Sequence, residues 1–248
     1  MNFNDYKYEH LDLEKIKGEF SELIDSFEKA ENVEMQIEEF DKIIKLRNHI
    51  ETMQTLVSIR HSIDTNDEFY DKENEYMDEI SPILFGFTND FYKALVNSKF
   101  KDELIKKYGK LLFDLAENTL KVFSNEIIPD AQEENRLSSK YSKLIASAKI
   151  DFDGKELNLS QMVPYTQSKD RNVRIKATKK VAQFFAENQE EFDNIYDSLV
   201  KVRTKMAQKM GYKNYVEFGY KQLSRLEYDA KMVEGYRKQV LENIVPLH

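Results

Sequence analysis

Residues 33–63 read VEMQIEEFDKIIKLRNHIETMQTLVSIRHSI, and the spacing of their apolar side chains decides the fold class. Phe40, Ile43, Leu46, Ile50, Met53 and Val57 recur in steps of three and four, the interval that stacks side chains on one face of a helix. Neither glycine nor proline interrupts the run. The preceding stretch, Leu11 to Ala30, repeats the pattern with Leu13, Ile16, Phe20, Leu23, Ile24 and Phe27. Together they predict long amphipathic helices whose apolar stripes must be buried against one another.

Working outward, the same periodicity covers most of the chain. Asn66-Asp67 supplies an N-cap for a third helix, which either kinks past Ser81-Pro82 or restarts there. Tyr108-Gly109 ends a helix, and a short apolar helix follows from Leu111 to Phe123. Ile128-Pro129-Asp130 opens another that runs to about Ser147. Beyond it, Ser168-Lys169-Asp170 caps a long helical stretch whose apolar stripe uses Val173, Ala177, Val181 and Phe184. The stripe continues through Phe192, Ile195, Leu199, Val202, Met206 and Met210 until Gly211 ends it. A short helix then starts at Asn214, and Asp229 caps a last one reaching Ile244.

One segment departs from this pattern. Ala148, Ile150 and Phe152 alternate with polar residues, Asp153-Gly154 follows, and Leu157 and Leu159 alternate again. An Asp-Gly pair between alternating segments predicts a tight hairpin, because a primed turn needs positive φ. A lone hairpin is marginal in water and has to pack on helices. The expected fold class is therefore mainly α, a multi-helix shell with one small β-hairpin at about 148–159.

Composition agrees. The 248 residues include 7 glycines and 4 prolines, with 41% hydrophobic and 33% charged residues, too much hydrophobe for a disordered chain. The absence of cysteine removes disulfides and thiolate chemistry and fits a reducing compartment. No secretory signal is visible at the N-terminus, and no apolar run is long enough to span a bilayer. The expectation is a cytoplasmic protein without a membrane partner. The net charge of −8 is uneven: residues 1–165 hold 21 basic and 34 acidic side chains, and residues 166–248 hold 16 and 11. Two regions are expected, an acidic helical domain over 1–165 ending in the hairpin and a second helical region over 166–248. The acidic part disfavours nucleic acid, since like charges repel its backbone. The basic residues Lys176, Lys179, Lys180, Lys201, Arg203, Lys205 and Lys209 are read as the polar face of a helix complementing nearby acids, without the aromatic interleaving of a nucleic-acid site.

Catalytic chemistry is not legible. The four histidines, His10, His49, His61 and His248, contain no pair at i and i+4, the spacing that puts two ligands on one helical face of a zincin. They are read as partly exposed helix residues. Asp151-Phe152-Asp153-Gly154 fails the spacing of a calcium loop, and there is no phosphate-cradling glycine loop or nucleophile elbow. No residue is assigned as catalytic, cofactor-binding or metal-ligating.

Several segments nevertheless resemble, in order and spacing, the oligoendopeptidase F / thimet oligopeptidase-like zinc metallopeptidase family. Ser168-Lys-Asp-Arg-Asn-Val-Arg174 with Ala177 is similar to its S-x-D-R-x-x-R-x-x-A segment. Ala207-Gln-Lys-Met-Gly-Tyr-Lys-Asn-Tyr215 is similar to its A-x-x-x-G-[YF]-x-[NS]-[YF] turn. Arg225-Leu-Glu-Tyr228, Tyr236-Arg237 and Ile244-Val-Pro-Leu247 resemble the approach to its catalytic domain, and the Leu157-x-Leu-Ser-Gln161 hairpin exit has a counterpart there. The resemblance covers about Tyr141 to the end. It implies a helical shell enclosing a channel, in which a zinc held by HExxH and a more distant Glu hydrolyses short peptides. Those elements lie further along the family's chain than His248. The chain is thus expected to be a truncated N-terminal channel wall, inactive alone, binding no metal itself, with a missing C-terminal catalytic half as partner and a tendency to self-associate. A non-catalytic peptide- or protein-binding module is the alternative. Locally, Gly211 is expected to take a left-handed conformation with Tyr212 and Tyr215 packing back over it, and Arg171 and Arg174 are expected to form ion pairs.

Overall fold

The computed structural model describes residues 3–247, so His248 lies outside it. Eleven α-helices and one hairpin form the described chain. Helix α1 (Leu13–Lys29) and helix α2 (Val33–Ile63) are capped by the Asp12 and Asn32 side chains, each accepting a backbone N–H three residues on. Helix α3 (Glu68–Val96) is capped by Asp67 and passes through Pro82 without restarting. Helices α4 (Lys101–Tyr108) and α5 (Lys110–Thr119) are separated by Gly109, whose φ of +89° only glycine adopts at little strain. The expected end of α5 at Phe123 is too late. Val122 and Phe123 lie past the helix and are buried in a second core.

Three apolar cores result. The stripes of α1 to α5 converge in the first, with Phe20, Phe27, Ile43, Phe91, Leu95 and Leu104 fully buried. The second joins Val122, Phe123 and Ile127 to Met206, Ala207 and Phe218. The third holds the hairpin, with Ala148, Ile150 and Leu157 packed on Met162, Ala177 and Phe184. Strands β1 (Ile150–Phe152) and β2 (Lys155–Leu157) pair antiparallel with Ile150 opposite Leu157. Asp153 and Gly154 take φ of +53° and +72°, both positive as a primed turn requires. The alternation stops at Leu157. Leu159 instead starts helix α7 (Leu159–Thr166), because Asn158 and Gln161 exchange side chain-to-backbone hydrogen bonds in a capping box.

The long helix expected after Ser168 is two. Helix α8 (Arg171–Glu187), capped by Asp170, ends at Asn188, and helix α9 (Gln189–Lys209) begins beside it. The Asn188 amide donates to the Phe184 carbonyl at 2.8 Å, the local competition by which a short polar side chain interrupts a helix. Thereafter α8 packs on α7 and β1, while α9 packs on helix α6 (Ile128–Ala146). Gly211, with φ of +84°, ends α9, and the Tyr212 N–H reaches back to the Ala207 carbonyl at 2.9 Å. Tyr212 and Tyr215 pack against the core that holds Met206, Ala207 and Phe218, so they reach back across the turn as expected, with Phe218 of the next helix as an added partner. Helices α10 (Tyr215–Gln222) and α11 (Ala230–Asn243) complete the chain.

Helix α6 lies between the cores yet buries only Asp130 and Leu144. Polar contacts hold it instead. Toward α9, Glu134 pairs with Arg203 at 2.6 Å and Asp130 with Lys205 at 2.7 Å and with Lys209. Toward α3, Asn74 donates to Ser139 at 3.0 Å and Lys143 pairs with Asp71 at 2.5 Å. Pro82 has no N–H for the Asp78 carbonyl four residues back. The Asn135 amide of α6 donates to that carbonyl at 3.0 Å, and Gln132 donates to the next, Glu79, at 2.8 Å. The proline is therefore tolerated because a neighbouring helix satisfies the acceptor it leaves open.

Candidate functional site

The histidines come apart in space rather than together. His10 is exposed and pairs with Glu73 at 2.9 Å, and His49 is exposed. His61 is not partly exposed: it is buried under α3, its Nε2 3.1 Å from Asp71 Oδ1. Asp71 is shared with Lys143, whose ammonium is the main influence holding its carboxyl below the usual range. Among the described residues no three His, Asp or Glu side chains converge on a point that could hold a metal. The donor set of the described residues therefore does not fit a zinc site.

The basic residues of α9 answer carboxylates. Lys201 pairs with Asp197 at 2.5 Å, and Arg203, Lys205 and Lys209 meet acids of α6. Burial alone would raise the Asp130 carboxyl, but Lys205 and Lys209 outweigh it and hold it below its ordinary value. The two arginines expected in ion pairs behave otherwise. Arg174 donates to the Ser168 and Lys169 carbonyls at 2.6 and 3.0 Å, and Arg171 is exposed without an ion pair. Two carbonyls ahead of the helix take up one guanidinium nitrogen without neutralising its charge.

The chain's unpartnered surface is its C-terminal stretch. Among the described residues of α11 none is buried. Met232 and Tyr236 stand one turn apart, followed by Leu241, Ile244 and Leu247, the last 83% exposed. An amphipathic helix with its apolar stripe in water is incompletely packed. Beside it lies a cleft of about 960 Å³ between α5 and residues 221–228, lined in part by Leu111, Leu115, Leu223 and Leu226. Asn118, buried on α5, anchors the cleft by donating to the Lys221 carbonyl at 2.7 Å. The turn that shapes it holds Ser224 at φ +53°, with the Arg225 N–H bonded to the Tyr220 carbonyl at 3.0 Å. This is the same closure used at Gly211, here built with a side chain that disfavours it. The Arg225 guanidinium lies 4.6 Å from the Tyr220 ring and 5.8 Å from that of Tyr228. The sequence marked Arg225–Tyr228, Tyr236-Arg237 and Ile244–Leu247 only by resemblance, and it did not show that their apolar neighbours stand uncovered.

Comparison with known proteins gives this architecture a relation. Residues 3–123 match the Peptidase M3 N-terminal domain. A crystal structure described as an oligoendopeptidase F superposes with a TM-score of 0.97 at 47% identity, over 100% of this chain and 44% of that one. An oligoendopeptidase F structure from Bacillus anthracis str. Ames superposes at 0.97 with 48% identity, over 100% of this chain and 45% of that one. A PZ peptidase A structure with an inhibitor superposes at 0.96 with 50% identity, over 99% of this chain and 44% of that one. No curated protein sequence matches. Over its whole length the chain is similar to the N-terminal portion of these oligoendopeptidase F structures, and its first half to the Peptidase M3 N-terminal domain. It spans less than half the length of the solved relatives. None of the described helices is long and apolar enough to cross a membrane.

Proposed function

We propose that this chain forms the N-terminal channel wall of a zinc-dependent oligoendopeptidase that hydrolyses short peptides in the cytoplasm. The observation that carries this reading is the superposition of the whole chain on oligoendopeptidase F at a TM-score of 0.97. The 1–165 and 166–248 regions are then two parts of one shell. In this reading the zinc and its ligands belong to the polypeptide that occupies the remaining share of the relatives' length. That polypeptide packs against the exposed face of α11 and the neighbouring cleft, and without it the same face drives self-association.

The test is hydrolysis of a quenched fluorescent peptide by residues 1–248, with zinc measured on the same sample. The expected result is neither turnover nor stoichiometric zinc, and turnover on adding the C-terminal half of a close relative. Chelator-sensitive turnover with one zinc per chain would overturn the assignment of the chemistry to the other half.

A further inference from the structure

A polar cleft of about 400 Å³ runs along α3, bounded by α2 on one side and α6 on the other. Its size falls within the range of small-molecule sites. Six serines line much of it, together with Asp78 and the amides of Gln54, Asn74 and Asn135, while Val57 and Met77 contribute apolar surface. The direction of the hydrogen bonds decides what it can hold.

The serine hydroxyls around the cleft largely donate into the protein. Ser81 donates to the Met77 carbonyl at 2.6 Å, Ser138 to Glu134 at 2.9 Å and Ser142 to Ser138 at 3.1 Å. The amides of Gln54, Asn74 and Asn135 also donate inward, to Ser81, Ser139 and the Asp78 carbonyl. A hydroxyl that has given its proton to the backbone offers the cleft its oxygen lone pairs, and each of these amides keeps its oxygen together with one further N–H. The lining therefore offers several oxygen acceptors alongside a few donors.

Asp78 adds charge to them. Its carboxylate receives the Ser139 hydroxyl, and among the described residues it has no ion-pair partner. The nearby Lys143 ammonium is held by Asp71, which also lies 3.1 Å from the His61 ring. Burial pushes the Asp78 carboxyl up, which is the signature of a carboxylate whose charge is poorly compensated.

We propose that this cleft binds a small organic cation bearing N–H donors, an alkylammonium or alkylguanidinium group, with Asp78 as counter-ion and the surrounding oxygens as acceptors. A cationic N–H group supplies the positive charge that Asp78 lacks and donors for the surrounding oxygens. The inference concerns α2, α3 and α6 alone and does not depend on the peptidase reading.

The experiment is an NMR titration of the 15N-labelled chain with n-butylammonium, with n-butylguanidinium and with uncharged n-butylurea, following the side-chain amides of Asn74 and Asn135. Saturable one-to-one shifts with at least one cation, and none with the urea, are expected. Whichever cation saturates first identifies the preferred head group. Asp78→Asn should weaken that binding at least tenfold while leaving circular dichroism and Tm unchanged. Ser139→Ala is the second variant and should weaken it severalfold. Absence of saturable shifts with both cations, equal shifts with the urea, or full affinity in both folded variants would overturn the proposal.

Discussion

Replacing Asp130 by Asn removes one negative charge from the joint between α6 and α9 and little else. The carboxylate is 5% exposed, bridges Lys205 and Lys209, and sits in the first turn of α6. Breaking a fully buried ion pair costs about 3–5 kcal/mol, but Lys209 and Lys205 are 33% and 61% exposed and can turn to water. That relief brings the expected loss to about 2 kcal/mol, of which up to ~1 kcal/mol is the helix-terminus contribution of the negative charge. For a chain of this length the loss corresponds to a fall in Tm of about 4–8 °C. The pH dependence is the sharper readout. The folded carboxyl titrates below its unfolded value, so its contribution is fully present above the unfolded pKa of about 3.9 and fades as pH falls through the folded pKa. Urea unfolding measured between pH 3 and 7 should show the wild type losing its advantage over Asp130→Asn only at the acid end. Lys205→Met with Lys209→Met should cost more than Asp130→Asn, because it strands the buried carboxylate without a cation. A loss below ~0.5 kcal/mol with parallel pH profiles would refute the reasoning.

Other consequences follow from single contacts. Asn135→Ala should cost about 1–2 kcal/mol in urea denaturation by orphaning the Asp78 carbonyl, and the loss should shrink in a Pro82→Ala background, where the helix supplies the missing N–H. Ser224→Gly should raise stability by about 1 kcal/mol, since φ of +53° strains any residue with a Cβ; Gly211→Ala, at φ +84°, should lower it by a similar amount. Met232→Ser with Tyr236→Ser and Leu241→Ser should leave Tm unchanged, because these side chains are 60%, 68% and 64% exposed, but should reduce self-association measured by sedimentation.

The mainly helical class, the N-caps at Asp67, Asp170, Asn214 and Asp229, and the Asp153-Gly154 turn were legible because each is a local event. A side chain caps an N–H two or three residues away, and a glycine or its neighbour turns the chain where it stands. The family resemblance was legible for the same reason, as short segments in a fixed order. No candidate site residue was legible, because a site is assembled from side chains distant in the chain.

Most of what remained hidden depends on partners distant in the chain. The break between α8 and α9 had a local cause, Asn188 standing between Phe184 and Phe192, but the apolar spacing resumes in the same phase beyond it, so the periodicity read as one helix. Whether Pro82 would be tolerated was undecidable until α6 brought Asn135 to the open carbonyl, 57 residues away. Arg174 found carbonyls instead of a carboxylate, and His61 went under α3 rather than into solvent. Sequence periodicity determined that these segments are helices and which face of each is apolar. Tertiary structure alone decided that α6 would be held by charge and amide contacts between separate cores, and that the apolar face of α11 would be left uncovered. The physical reason is that periodicity reports what must leave water, while the partner that removes it is fixed only by packing.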